Sequence, residues 1–369
     1  MQQLVIIISG VNKALAFEWM AEQLDRKKFN VRFILLNDQE STLEKFFISQ
    51  GFEVTRWPYS KKPDLARIIF RLFSFFKKHK PDIVHCHLFE ASIAGLTAAW
   101  LAGVKKRIYT RHYSTLQHTY FKKGVKYDEW CNRRATHIVA VSEVVKRTLV
   151  EMEGVSREKI TIIHHGLKKN LFQNINDARI EQIRNKYSIP SSRPVIGAIS
   201  RYLHLKGVTY IIDSFAELLK SYPQAFLILA NASGDYKPEV TKALKKIPAA
   251  SYREIEFEED LPALYRLFDV FVHIPVDNHS EAFGQTYVEA LAAGVPSVFT
   301  ISGVAEEFIR NNENALVVDY KNSTQITEAI KKILGDEELR NRLIANGKAS
   351  AAQFDIEQEM KKLELLYLD

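Results

Sequence analysis

Cysteine is scarce in this chain of 369 residues: Cys86 and Cys131 are the only two. Two cysteines offer no disulfide framework, which fits a reducing compartment. Long apolar runs are also missing. The uncharged run Ala91 to Val104 is rich in Ala and Gly and shorter than the roughly 18 residues a spanning helix needs. Met1-Gln2-Gln3 leads straight into Leu4-Val5-Ile6-Ile7-Ile8, without the charged start, longer apolar stretch and cleavage site of an export signal. The expectation is a soluble cytoplasmic protein with no transmembrane segment. No dense Lys/Arg block with interleaved aromatics stands out, so nucleic acid is not an expected partner. The turn after the first apolar run, Ser9-Gly10-Val11-Asn12-Lys13, lacks the G-x-G-x-x-G spacing of a nicotinamide dehydrogenase. No low-complexity segment is present, and no sequence repeat links the two halves.

What is present is a hydrophobic fraction of 46% with 26% charge, the balance of a globular protein. The length suits two α/β domains better than one. The net charge of +7 favours anionic ligands without choosing among them. Short β-rich runs alternate with amphipathic ones. Strands are predicted at Leu4–Ile8, Val31–Leu36, Phe52–Trp57, Asp82–Cys86, Arg107–Thr110, Ile138–Val141 and Ile160–Ile163, with helices such as Ala16–Leu24, Leu65–Lys78 and Glu143–Glu151 between them. Continuous apolar strands read as buried on both faces, and the alternation is that of a doubly wound parallel sheet. The polar stretch Lys168–Asn185 breaks the rhythm as a partly helical connection. The pattern restarts with Pro194–Ile199, Phe226–Ala230, Glu254–Phe257, Val270–Ile274, Ser297–Thr300 and Leu316–Val318, and Ile356–Leu368 closes the chain as an amphipathic helix.

In doubly wound sheets, ligands bind beyond the carboxyl ends of the strands. After Pro194–Ile199 comes Ser200-Arg201-Tyr202-Leu203-His204-Leu205-Lys206-Gly207. Two cations between a strand end and a helix start suit a diphosphate; alone, they read more simply as solvated surface charges. After Val270–Ile274, the loop carrying Glu281-Ala282-Phe283-Gly284 leads into a helix predicted over about Gln285 to Ala293, with Glu289 on it and Gly294 and Pro296 ending it. Either carboxylate suits sugar or ribose hydroxyls; either alone also reads as helix decoration. His112 at the end of its strand reads by itself as a satisfied histidine.

Together these segments resemble the retaining glycosyltransferases of family 4. The resemblance rests on Arg201…Lys206-Gly207, on Glu281…Glu289 with Phe283-Gly284 inside it and Ala293-Gly294-Val295-Pro296 after it, and on Ser302-Gly303-Val304-Ala305-Glu306 with Asn312-Glu313-Asn314-Ala315-Leu316-Val317-Val318. In the first half, Lys80-Pro81-Asp82-Ile83-Val84-His85-Cys86-His87 and Thr110-Arg111-His112 also match. The match covers nearly the whole chain in order. The sequence departs from the family in having one Gly in the Ser9–Lys13 loop, in Ala230-Asn231-Ala232-Ser233-Gly234, and in lacking a Gly and a Pro in the Ser302–Glu306 turn.

The resemblance implies an α/β GT-B architecture: two Rossmann-like doubly wound domains facing across a cleft, with the C-terminal helix crossing back to the first. The implied division is 1–170 for an acceptor-binding domain, 171–350 for a nucleotide-sugar domain and 351–369 for the returning helix. Glu289 is implied to hold the ribose, and Arg201 and Lys206 the diphosphate. Glu281 with the amides of Phe283 and Gly284 is implied to hold the sugar, with the Gln285 and Thr286 amides nearer the phosphates. His112 is implied to sit over the sugar, Gly10 to join the donor site, and the base to rest against Glu254–Phe257. The implied catalytic set is His112, Glu281, Arg201 and Lys206.

The implied reaction moves a hexose or N-acetylhexosamine, with retention, from a nucleotide diphosphate sugar to a glycan or lipid-linked hydroxyl in cell-envelope polysaccharide or glycolipid synthesis. UDP is the first expectation as the commonest donor of the family. No cofactor and no metal are expected, since an Asp-x-Asp motif is missing. The pairs His85/His87 and His164/His165 are set aside as metal ligands on the expectation that their side chains diverge to opposite faces. Other readings are another enzyme on this architecture, such as a sugar-nucleotide epimerase or disaccharide phosphorylase, or a non-catalytic sugar-binding protein. The segment Leu65–Lys78, apolar, aromatic and basic, reads first as a core-packed helix with a solvated basic edge and second as an element lying on an anionic membrane.

Overall fold

A computed structural model describes residues 1–60, 64–173, 175–191 and 194–369; Asn174, within the expected connection, lies outside them. The chain divides into two compact units, Met1–Gly166 with Ile356–Asp369, and Leu167–Asp355.

The first unit is built on seven parallel strands: β1 (Gln2–Ser9), β2 (Phe29–Leu36), β3 (Glu53–Trp57), β4 (Ile83–His87), β5 (Lys106–Arg111), β6 (His137–Ala140) and β7 (Ile160–Ile162). Their order is β3-β2-β1-β4-β5-β6-β7. An interior strand is β1, whose residues Leu4 to Ile8 are all buried, as a parallel strand covered on both faces requires. It pairs in register with β2 from Gln2–Phe29 to Ser9–Leu36. The helix Asp64–His79 buries Ile68, Leu72 and Phe76, one residue per turn on one stripe. The segment expected as a helix over Glu143–Glu151 is α-helical only to Arg147 and widens to a π turn over Thr148–Met152.

The terminal helix, Ile356–Leu368, belongs to this first unit. It buries Ile356, Met360, Leu363, Leu366 and Tyr367. Lys106 Nζ donates to its last carbonyls, Leu366 (3.0 Å) and Tyr367 (3.1 Å), satisfying acceptors that the helix cannot pair internally. The helix starts at Ile356, as its apolar spacing predicts, and not at the implied division at 351. Ala351 ends the preceding helix, Glu337–Ala351. Past it the chain turns through Ala352 and Gln353, with Phe354 N donating back to Ala351 O at 3.0 Å; Leu167 N donates to Phe354 O at 2.7 Å, and the Phe354 ring packs on Phe283 and Phe308.

The second unit has six parallel strands: β8 (Val195–Ile199), β9 (Phe226–Ala230), β10 (Tyr252–Ile255), β11 (Val270–His273), β12 (Ser297–Phe299) and β13 (Leu316–Val317), ordered β10-β9-β8-β11-β12-β13. Strand order reverses between β8 and β11, so the loops leaving these two strands diverge and open a crevice at their carboxyl ends. The Arg201–Lys206 loop follows β8, and the Glu281 loop follows β11. The crevice is therefore lined by the two segments that sequence reasoning singled out.

Candidate functional site

Two glycines bring the second unit's loops together. Gly207, at φ 67°, ends the turn His204–Lys206 and opens the helix Val208–Leu218. A Cβ there would lie 2.1 Å from the Ile274 carbonyl oxygen, so only glycine allows the loop to rest on the end of β11. Val276 N then donates to Leu205 O at 3.1 Å. Gly303, at φ 60°, gives the same close approach on the other side: a Cβ would lie 2.7 Å from Phe283 O and 2.9 Å from Glu281 Cβ. Ser302 Oγ accepts from Glu281 N at 2.9 Å.

These contacts fix Glu281. Its Oε1 receives Lys206 Nζ at 2.5 Å and His273 Nε2 at 3.0 Å. Glu281 is buried, and burial alone raises a carboxyl pKa; the Lys206 ammonium and the His273 hydrogen bond outweigh it and hold the group at about 2. Both protein donors converge on one oxygen, which leaves Oε2 for another partner. Burial lowers the His273 pKa despite Glu281, so the ring donates its Nε2–H as a neutral imidazole. Sequence reasoning missed His273. The signal was a lone polar residue closing the apolar strand Val270-Phe271-Val272-His273.

Arg201 is exposed, and its guanidinium makes no hydrogen bond or ion pair among the described residues. The helix Gln285–Ala292 begins after Gly284, with Gln285 and Thr286 half-buried in its first turn, where main-chain N–H groups lack intrahelical acceptors. Phe283 is buried before it. Glu289 faces inward, and its Oε2 accepts from Tyr265 OH at 3.0 Å. Burial raises this carboxyl to about 7, with the Tyr265 bond opposing. Tyr265, another missed residue, precedes Glu289 by 24 positions. Glu254 accepts from Tyr202 OH at 2.9 Å, and Phe257 is exposed just beyond β10.

His112 and Gly10 belong to the first unit. Gly10 follows β1, donating its N–H to Leu36 O at 3.1 Å. His112 follows β5. Its Nε2 lies 3.2 Å from His87 Nδ1, and its ring stacks on His165 at 5.3 Å between centroids. The expected divergence of His85 and His87 is wrong. Residues two apart on a strand share a face, and these rings lie 4.1 Å apart. His165 lies beyond the end of β7, so strand alternation does not govern it. Among the described residues no three His, Cys, Asp or Glu side chains are arranged to hold a metal ion.

Comparison with known proteins follows the same division of the chain. The family profile described as Glycosyltransferase Family 4 matches residues 19–170, and that described as Glycosyl transferases group 1 matches residues 179–350. The capsular polysaccharide biosynthesis glycosyltransferase CapM of Staphylococcus aureus is 26% identical over 82% of this chain and 80% of its own. Mannosylfructose-phosphate synthase of Agrobacterium fabrum is 26% identical over 74% of this chain, which spans 65% of that protein. Among solved structures, Anabaena Alr3699/HepE in complex with UDP and glucose superposes with a TM-score of 0.85 at 19% identity, covering 99% of both chains. A glycosyltransferase from Rickettsia africae gives 0.80 at 20% identity, covering 99% of this chain and 97% of its own. With matches to both family profiles across most of its length and two Rossmann-like parallel-sheet units of the GT-B kind, the chain belongs to glycosyltransferase family 4.

Proposed function

We propose that this protein is a retaining, metal-independent glycosyltransferase that moves a hexose or N-acetylhexosamine from a nucleotide diphosphate sugar to a hydroxyl of a glycan or lipid-linked glycan. UDP is the first choice of nucleotide, and the reaction belongs to polysaccharide or glycolipid synthesis on the cytoplasmic side. The observation carrying this reading is the crevice between β8 and β11, where Lys206, the exposed Arg201 and the start of the helix Gln285–Ala292 meet a deeply ionised Glu281. CapM, a capsular polysaccharide enzyme by its name, and the UDP and glucose bound to the Anabaena protein support the same class of donor and product.

The chemistry follows from charge. Cleaving the bond between the sugar and its phosphate develops positive charge on the sugar and negative charge on the leaving diphosphate. Arg201, Lys206 and the amides of Gln285 and Thr286 are assigned to that diphosphate, where preorganised donors lower the barrier most. Glu281, with Oε1 already held by the protein, offers Oε2 to a sugar hydroxyl. Phe283 and Gly284 add their amides, Glu289 takes the ribose hydroxyls, and the base rests near Glu254 and Phe257. His112 and Gly10 are the substrate contacts assigned to the first unit. For retention, the leaving phosphate oxygen accepts the proton of the attacking hydroxyl on the same face of the sugar.

A thermal-shift panel of nucleotide sugars tests the donor. At 100 times Kd, a ligand specific for the folded state adds about 2.7 kcal/mol, so a UDP-sugar is expected to raise the melting temperature by several degrees and to be consumed unchanged in rate when EDTA is present. A panel with no shift, from UDP or any other nucleotide, removes the donor assignment; EDTA-abolished turnover removes metal independence.

Membrane contact is the accompanying proposal. On the helix Asp64–His79, Phe70 is 69% exposed and sits among the exposed Arg67, Arg71, Lys77 and Lys78. An aromatic with flanking cations suits an anionic bilayer surface. Among the described residues no helix is long and apolar enough to cross a membrane. Co-sedimentation with anionic vesicles at low salt, weakened by Phe70→Ser with Arg71→Ser, is expected. Equal recovery with neutral and anionic vesicles would end the idea.

A further inference from the structure

The first unit holds a row of histidines of which the proposed reaction uses only one. His85 is held at both ring nitrogens, Nδ1 by Tyr367 OH at 2.7 Å and Nε2 by Thr110 Oγ1 at 2.8 Å. His87 lies on the same face of β4, its ring 4.1 Å from that of His85. Phe17 packs edge-on against it at 5.1 Å. His87 is 4% exposed, so it is clamped between fixed neighbours. Its Nδ1 meets His112 Nε2 at 3.2 Å, and its Nε2 is buried with no partner among the described residues. His112 is half-buried. Its own Nδ1 has no protein partner among the described residues and is not sealed from solvent.

Both rings are neutral at physiological pH, because burial, and then the neighbouring histidines, pull their pKa values well below the usual range. A neutral imidazole carries one N–H, so the bond between the two rings has only two forms. In one, His112 donates from Nε2 to His87 Nδ1. His87 must then carry its proton on Nε2, which buries an N–H with no acceptor. In the other, His87 donates from Nδ1 to His112 Nε2, and the unpartnered His87 Nε2 is a bare lone pair. Buried N–H groups without acceptors are rarer than under-satisfied acceptors. The second form therefore prevails, and it leaves the His112 proton on Nδ1.

We propose that His87 is a positioning residue that locks His112 as the Nδ1–H tautomer, so that His112 meets its substrate as a hydrogen-bond donor to an oxygen atom and not as a base. The ligand atom it suits is a sugar hydroxyl or phosphate oxygen. The substrate contact rests on the proposed function; the tautomer does not.

The test is a two-bond proton–nitrogen correlation spectrum of the full chain labelled with nitrogen-15 histidine, with His112 assigned by its loss in His112→Gln. Protonated Nδ1 and bare Nε2 at His112 are expected in the wild type; the reverse pattern overturns the proposal without any variant having to fold. In His87→Asn, whose amide restores a donor near the lost Nδ1, the His112 pattern and the transfer rate are expected to stay close to wild type. In His87→Leu, the two His112 nitrogens are expected to average between forms while kcat falls about 10- to 100-fold with donor KM little changed. A His87→Leu protein that keeps the wild-type His112 pattern overturns the proposal. If the tautomer is as expected but the wild type transfers no sugar, the assigned reaction fails and the role of His87 stands.

Discussion

Replacing Lys206 by alanine is expected to slow glycosyl transfer by about 10²- to 10³-fold, with most of the loss in kcat. The ammonium lies on Glu281 Oε1, so the protein itself holds it in place. Charge on the leaving diphosphate grows as the sugar bond breaks. A cation fixed beside it therefore stabilises the transition state more than the bound donor, and its removal appears in kcat more than in KM. Arg201, exposed and without a protein partner among the described residues, is assigned a looser grip on the same group. The substitution has a second consequence. Glu281 keeps His273 but loses its closest positive charge, and its carboxyl is expected to rise from about 2. Steady-state kinetics with a radiolabelled donor separate the effects, and unchanged kinetics would contradict the assignment.

Glu289→Gln is expected to make the protein more stable and a poorer binder at once. Burial raises the Glu289 carboxyl in the folded state from the ordinary 4.5 to about 7. Between those values the unfolded chain has released this proton while the folded chain keeps it. A raised carboxyl thus leaves stability intact below about pH 4.5 and erodes it as pH rises through 7. The erosion is complete above 7 and is limited to about 3 kcal/mol, the free energy of that displacement. Glutamine does not titrate, so its gain is expected near pH 8 and absent near pH 4.5, read as a difference of several degrees in melting temperature. The variant also loses a charged acceptor for the ribose hydroxyls. Hydrogen bonds to charged groups contribute about 1.5–3 kcal/mol, so donor affinity is expected to fall about 10- to 100-fold by calorimetry. Melting curves parallel to wild type at both pH values, with unchanged affinity, would show that Glu289 is neither strained by burial nor used by the ligand.

Much of the fold was legible because parallel strands buried on both faces announce themselves as apolar runs. Leu4–Ile8 marks a fully buried interior strand of the first sheet, and Phe226–Ala230 is a strand of the second at the predicted residues. Strand ends were less legible. Glu254–Phe257 was read two residues late: β10 begins at Tyr252, where pairing with Leu227 of β9 sets the start. The terminal helix was read at its observed bounds, Ile356–Leu368, from the spacing of Met360, Leu363 and Leu366; the implied division at 351 falls on the last residue of the preceding helix, because the turn between the two ends on Phe354, whose ring packs against rings distant in sequence.

The candidate site divides in the same way. Arg201, Lys206, Glu281 and Glu289 were visible because their loops and helix follow recognisable strands. That Lys206 and His273 share one oxygen of Glu281 was not, because it depends on Gly207 and Gly303 allowing three separate loops to touch. The pairing of Tyr265 with Glu289 joins two helices and has no local signature. The histidines went astray for a different reason: period-two geometry was misapplied to His85 and His87, which the strand places side by side.

The most direct test is a crystal structure of the protein with UDP. The expected result is a diphosphate within hydrogen-bonding reach of Lys206, Arg201 and the amides of Gln285 and Thr286, with the ribose hydroxyls on Glu289. A nucleotide seated away from the crevice between β8 and β11, or crystals that take up none at saturating UDP, would contradict the account.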